Sequence, residues 1–122
     1  MIIAIAIGLV AGVALGMALN ISYPTEYSLY ITMALLAAMD SVLGAARAHL
    51  NDKYNNAIFI SGFIVNAILA SALAYLGDRL GVPLYYAVIF VFGGRLFQNL
   101  AVIRRILIDK YFLKKAEQDN DK

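Results

Sequence analysis

Six residues set within otherwise apolar stretches carry the chemistry of this 122-residue chain: Asp40, Arg47, Asn66, Arg95, Gln98 and Asn99. At 100° per residue, Asp40, Gly44 and Arg47 share one helical stripe, and Arg95, Gln98, Asn99 and Val102 share another. Each set therefore faces one neighbour. One carboxylate, two guanidinium groups and three amides brought together make a polar site for an anionic or zwitterionic ligand, or for proton relay. The same groups equally make an ion-pair clasp that holds helices in register, and spacing leaves both readings open. An ionised side chain at mid-membrane costs about 2.5–3.5 kcal/mol on insertion scales. Asp40, Arg47 and Arg95 must therefore be paired, neutralised or wetted.

Other chemistries lack their residues. The chain has no cysteine, hence no disulfide, no thiolate metal site and no Cys nucleophile. His49 is the single histidine and stands beside Arg47 and Asn51, which suits an interfacial side chain better than a general base or a metal ligand. No GxSxG, HExxH, P-loop or dinucleotide fingerprint occurs. The expectation is a protein that is not an enzyme, with no cofactor, no metal site and no nucleic-acid partner.

The composition says what positions these groups. Hydrophobic residues make up 62% and charged residues 15%, with a net charge of +2 and a mean hydropathy of +0.76. A soluble domain this small has too little interior for so much apolar surface. A hydrocarbon core of about 30 Å calls for about 20 apolar helical residues, and the chain offers such stretches at Met1–Leu19, Tyr27–Leu50, Ala57–Leu76 and Pro83–Ile108. The first lacks the basic start of a cleaved signal peptide and reads as a retained helix. Connectors containing Pro24, Asp52 and Lys53, and Gly77 with Gly81, are short enough to make sequential helices antiparallel neighbours. The expected fold is an all-α, four-helix antiparallel transmembrane bundle over residues 1–108. Residues 109–122 form a basic, then mixed-charge, cytoplasmic tail, helical to Lys115 and frayed from Ala116.

Orientation follows from the basic residues. With both termini cytoplasmic, the inner side collects Arg47, Lys53, Arg104, Arg105, Lys110, Lys114, Lys115 and Lys122, and the outer connectors only Arg79. Tyr23, Tyr27, Tyr30, Tyr75, Tyr85 and Tyr86 then fall at outer ends, where amphipathic rings favour the interface. Asp40 and Arg95 each lie about 12 residues, or about 18 Å, beyond the outer start of their helices, and should meet at one level. Asn66, on a helix running the other way, falls at that same depth.

Two glycine patterns bear on packing. Gly8, Gly12 and Gly16 form a GxxxGxxxG row that invites close backbone approach, either between copies of the chain or against another of its own helices. Gly93-Gly94 precedes Arg95 and either breaks the fourth helix or admits a bulky neighbour within a continuous one; resumed periodicity from Leu96 favours the latter.

The segments Glu26–Leu50, Phe59–Asn66 and Phe92–Arg105, with their Asp40-x-x-x-Gly44-x-x-Arg47 and Arg95-Leu96-Phe97-Gln98-Asn99 strings, resemble the small basic protein family of Gram-positive and related bacteria. The chain departs from that pattern at Ala45, where a second glycine is usual, and in its acidic, amide-rich ending Glu117–Asp121. The resemblance implies a multi-pass plasma-membrane protein, often encoded near cell-division genes, without an assigned activity. The expected function is an interaction or scaffold subunit of a cell-envelope or division-associated assembly, with membrane lipids and either its own copies or other membrane proteins as partners. The alternative is a small oligomeric transporter, channel or lipid-handling protein that uses the polar belt.

Overall fold

The computed structural model describes residues 2–22 and 24–122; Met1 and Tyr23, the latter expected at an outer interface, lie outside the described residues. Among the described residues the chain is helical, without strands. Helix α1 spans Ile2–Ala18, α2 Ser28–Leu50, α3 Asn56–Leu80 and α4 Tyr85–Ile108. A single 3-10 turn, Thr25–Tyr27, leads into α2, and five π-helical residues, Asp109–Leu113, connect α4 to α5, Lys114–Asn120. The expected fraying from Ala116 is therefore absent as far as Asn120. Backbone bonding simply continues from α4 through the π-helical turn, since none of these residues breaks a helix.

Three stretches, Thr25–Leu50, Asn56–Leu80 and Tyr85–Asn120, are long and apolar enough to cross a membrane. Helix α1, with 17 residues, extends about 25 Å and falls slightly short of a core of about 30 Å. It also stands apart in packing. Where one four-helix bundle was expected, the packed core is built from three helices, with α2 between α3 and α4. Met33 and Ala37 of α2, Ala70 and Ala74 of α3, and Val88 and Phe92 of α4 are buried together, flanked by Leu29, Tyr30, Leu36 and Tyr85. Three of these six are alanines, which let backbones approach closely where lipid supplies no hydrophobic force between helices.

Helix α1 borders the others where Ile5, Ala6 and Leu9 line an apolar cavity with Leu43 and Ala46 of α2 and Leu100 and Ile103 of α4. Its start therefore lies beside the C-terminal halves of α2 and α4. A Cβ added at Gly8, Gly12 or Gly16 would meet nothing within 4 Å, so among the described residues the glycine row packs on no other helix. The physical reason is that α1 is apolar throughout. Lipid solvates it as well as protein does, whereas the polar groups of α2 and α4 must turn inward.

The helix ends are chemically defined. Asn55 Oδ1 accepts hydrogen bonds from the Ala57 and Ile58 amides at 2.9 and 3.2 Å, capping α3. At its other end α3 runs four residues beyond the expected Leu76, through Gly77, and stops at Gly81, whose φ of 70° is the left-handed conformation that glycine tolerates. Gly77 is a contact residue rather than a breaker. It is buried where the chain turns back over it, and the Val82 amide donates to its carbonyl at 2.9 Å.

Candidate functional site

Twelve residues from Ser28 to Asp40 and ten from Tyr85 to Arg95 correspond to about 18 and about 15 Å of helix, so the two charges reach one level in the packed bundle. They meet there. Arg95 Nη2 lies 3.1 Å from Asp40 Oδ2. The Asp40 side chain is wholly buried, while that of Arg95 retains 52% of its surface. The approach angle falls outside hydrogen-bond alignment, leaving Asp40 Oδ2 with an ion contact and no hydrogen bond. The Arg95 guanidinium also sits 5.6 Å from the centroid of the Phe92 ring, within cation–π range.

Asn99 extends this pair along the seam. Its Nδ2 approaches Asp40 Oδ1 at 3.5 Å, a long and weak hydrogen bond, and its Oδ1 accepts from Arg47 Nη1 at 3.2 Å. The amide thus turns its donor to the anion and its acceptor to the cation. Gly44 lies against the same amide: a Cβ placed there would sit 3.8 Å from Asn99 Nδ2, an ordinary van der Waals contact. Arg95, Asp40, Asn99 and Arg47 form one polar chain from the middle of the bundle toward the C-terminal end of α2.

Two expected members stay out of it. Asn66 is half-buried on α3 and Gln98 is exposed on α4, and neither side chain hydrogen-bonds to another described residue. Gln98 lies one residue before Asn99, and a rotation of 100° takes it off the α2-facing stripe. Asn66 shares the α3 face of the buried Ala70 and Gly77 but makes no hydrogen bond there. Gly93-Gly94 sits inside an unbroken α4 with open space beside both residues. His49 is exposed, with its ring edge-on to Tyr54 at a centroid distance of 6.3 Å.

At the opposite end of the bundle a polar cluster escapes a reading by apolar stretches. Tyr30 Oη donates to Asp78 Oδ2 at 2.7 Å, and Ser71 Oγ donates to the Tyr30 carbonyl at 3.3 Å. Arg79 Nε donates to Tyr75 Oη at 3.1 Å. These residues link the start of α2 to the end of α3, and the signal for them was an Asp-Arg pair facing a row of tyrosines. Among the described residues no group of His, Cys, Asp and Glu has the arrangement of a metal site.

Residues 23–108 match a family described as "Protein of unknown function (DUF1290)". The chain is similar to the small basic protein of Bacillus subtilis, at 53% identity over 114 residues, covering 93% of this chain and 94% of that protein. It is 37% identical over 101 residues to uncharacterized proteins of Mycobacterium bovis and Mycobacterium tuberculosis, covering 81% of this chain and 84% of each. No solved structure matches it.

Proposed function

The chain belongs to the DUF1290 family, and from that premise we propose that it is a non-enzymatic, multi-pass plasma-membrane protein serving as an interaction or scaffold subunit of a cell-envelope or division-associated assembly. The observation that carries this reading is the uncovered glycine row of α1, where a Cβ added at Gly8, Gly12 or Gly16 would meet no other described element within 4 Å. A small-residue row allows close helix approach, and van der Waals contact is what holds helices together in lipid. Here that contact is left for a second copy or for another membrane protein. The polar chain between α2 and α4 then keeps the three-helix body in register while α1 docks.

In this reading α1 spans the bilayer with the other three helices and both termini are cytoplasmic, the side that receives Arg104, Arg105, Lys110, Lys114 and Lys115. Reporter fusions test it. A cytoplasm-active reporter should work at Lys122 and near Asp52, and an exterior-active one near Glu26 and Gly81; the reverse pattern would end this orientation.

Gly12→Leu tests the docking role. The substitution meets open space within the chain, so the fold should persist while the assembly separates. Detergent-corrected light scattering should give a lower particle mass, or, for a foreign partner, a pull-down from the native host should lose a band. An unchanged mass and an unchanged pull-down would remove α1 from the interface.

A further inference from the structure

The cavity between α1, α2 and α4 measures about 200 Å³, and every side chain that lines it is aliphatic. Ala6 stands on its α1 wall, and Leu100 and Ile103 on its α4 wall. Such a cavity excludes water and admits apolar molecules, because only an apolar occupant makes dispersion contacts with its walls. Leu100 and Ile103 also wall a second hollow, of about 470 Å³, that continues along α4 past Arg104 and Leu107 to Tyr111 and Phe112. Through these two shared residues the hollows form one groove, closed by α1 at one end.

Arg104 is the one charged side chain along this groove. Helix length sets its level. It follows Tyr85 by nineteen residues, about 29 Å of helix, which matches a hydrocarbon core of about 30 Å. With Tyr85 at one face of the core, Arg104 stands at the other, among the headgroups. Leu100 and the cavity lie one turn inside the hydrocarbon, and Tyr111 brings a phenol to the interface, where such rings are favoured. Arg47, Arg79 and Arg95 are engaged by Asn99, Tyr75 and Asp40. Arg104 is exposed and bonds through its side chain to no described residue. Around it, residues 104–115 hold five basic side chains against one acidic, Asp109.

We propose that this groove holds one anionic phospholipid, with its phosphodiester on Arg104 and an acyl chain running past Ile103 and Leu100 into the cavity, so that the lipid joins α1 to the three-helix body. The guanidinium fork matches two phosphate oxygens, and the surrounding basic run concentrates anionic lipid at that surface. An acyl chain leaving a headgroup at this level points into the hydrocarbon, which is the direction from Arg104 to Leu100. The aliphatic cavity gives it walls on three helices, whereas a free phosphate would leave the cavity unused. This role goes beyond the docking of the glycine row and does not depend on it: Gly12→Leu, whose site lies outside the groove, should leave lipid retention unchanged.

The test uses the full chain reconstituted with equal phosphatidylglycerol and phosphatidylethanolamine, then extracted in mild detergent, with retained lipid counted by native mass spectrometry. The wild type should keep one phosphatidylglycerol per chain, at about tenfold preference over phosphatidylethanolamine, the scale of a charge-assisted hydrogen bond. Arg104→Gln breaks no bond within the described chain and should melt as the delipidated wild type does while bringing the two lipids to parity. Ala6→Phe fills the cavity from the α1 side and should lower retention of both lipids, because the acyl chain loses its place. A measurement on the wild type alone runs beside these: phosphatidylglycerol should raise the melting temperature of delipidated protein, and inorganic phosphate at the same concentration should not. Equal retention of the two lipids, an Arg104→Gln protein with unaltered preference, or an Ala6→Phe protein that binds lipid as the wild type does would each overturn the assignment. Stabilisation by inorganic phosphate alone would overturn it too, as would a dimer lost in Arg104→Gln and undisturbed by either lipid, which would seat a second copy in the groove.

Discussion

Arg95→Leu is expected to be the most destabilising substitution in the spanning helices, because it strands the wholly buried Asp40 carboxylate with only the long contact to Asn99. Removing one partner of a buried pair costs about 3–5 kcal/mol, since the remaining charge keeps its desolvation penalty and loses its attraction. The reverse substitution, Asp40→Leu, should cost less. Arg95 is half-exposed, and a long guanidinium side chain freed from its partner can extend toward headgroups or water. The double variant Asp40→Leu, Arg95→Leu should melt nearer the wild type than Arg95→Leu does, because both desolvation costs vanish together. Thermal melting in detergent reads the order. Equal melting temperatures for Arg95→Leu and the wild type would dissolve the pair as a structural element. Complementation of a deletion strain adds a separate answer: a folded, active double variant makes the pair a clasp only, and a folded, inactive one makes it part of a working site.

Gly77→Ala is the second large effect, and it arises from backbone rather than charge. The added Cβ would fall against the Val82 carbonyl oxygen and within 2.8 Å of the Leu84 amide nitrogen. Neither atom belongs to a side chain that can swing away. Overpacking of this kind costs about 1–3 kcal/mol where side chains yield, and the upper end is expected where the chain turns back on itself. Gly93→Ala is the control, since nothing lies within 4 Å of its added Cβ and alanine favours a helix interior by about 1 kcal/mol over glycine. It should melt at or slightly above the wild type, with Gly77→Ala well below both. A Gly77→Ala protein as stable as Gly93→Ala would show that the α3–α4 turn is not held by this contact.

These cases differ in how far they could be read from the residues. The Asp40–Arg95 pair was legible because both residues lie at a countable distance along helices that run the same way, and the sharing of one stripe by Asp40, Gly44 and Arg47 was legible for the same reason. Gly77 was misread as part of a connector. A glycine near the end of an apolar run looks like a terminator, and only the returning backbone at Val82 and Leu84 reveals that it is the point of closest approach. Asn66, expected beside the pair, hydrogen-bonds to neither of its members. The Tyr30–Asp78 bond was not foreseen, because it depends on which tyrosine of several comes opposite the end of α3.

The sequence by itself determined the helical class, the three stretches long and apolar enough to cross a membrane, the family, and the place of each polar residue along its helix. All of these follow from composition and from a rise of about 1.5 Å per residue that every helix obeys regardless of its neighbours. Tertiary structure alone decided that α2 lies between α3 and α4, that α1 stays outside their core, and that Asn99 rather than Asn66 or Gln98 bridges Asp40 and Arg47. Lateral position and azimuth have no local rule. They come from the summed packing of whole helix faces, in which small residues such as Ala37, Gly44, Ala70 and Ala74 set how closely the backbones approach, and that sum exists only once all the helices are in place.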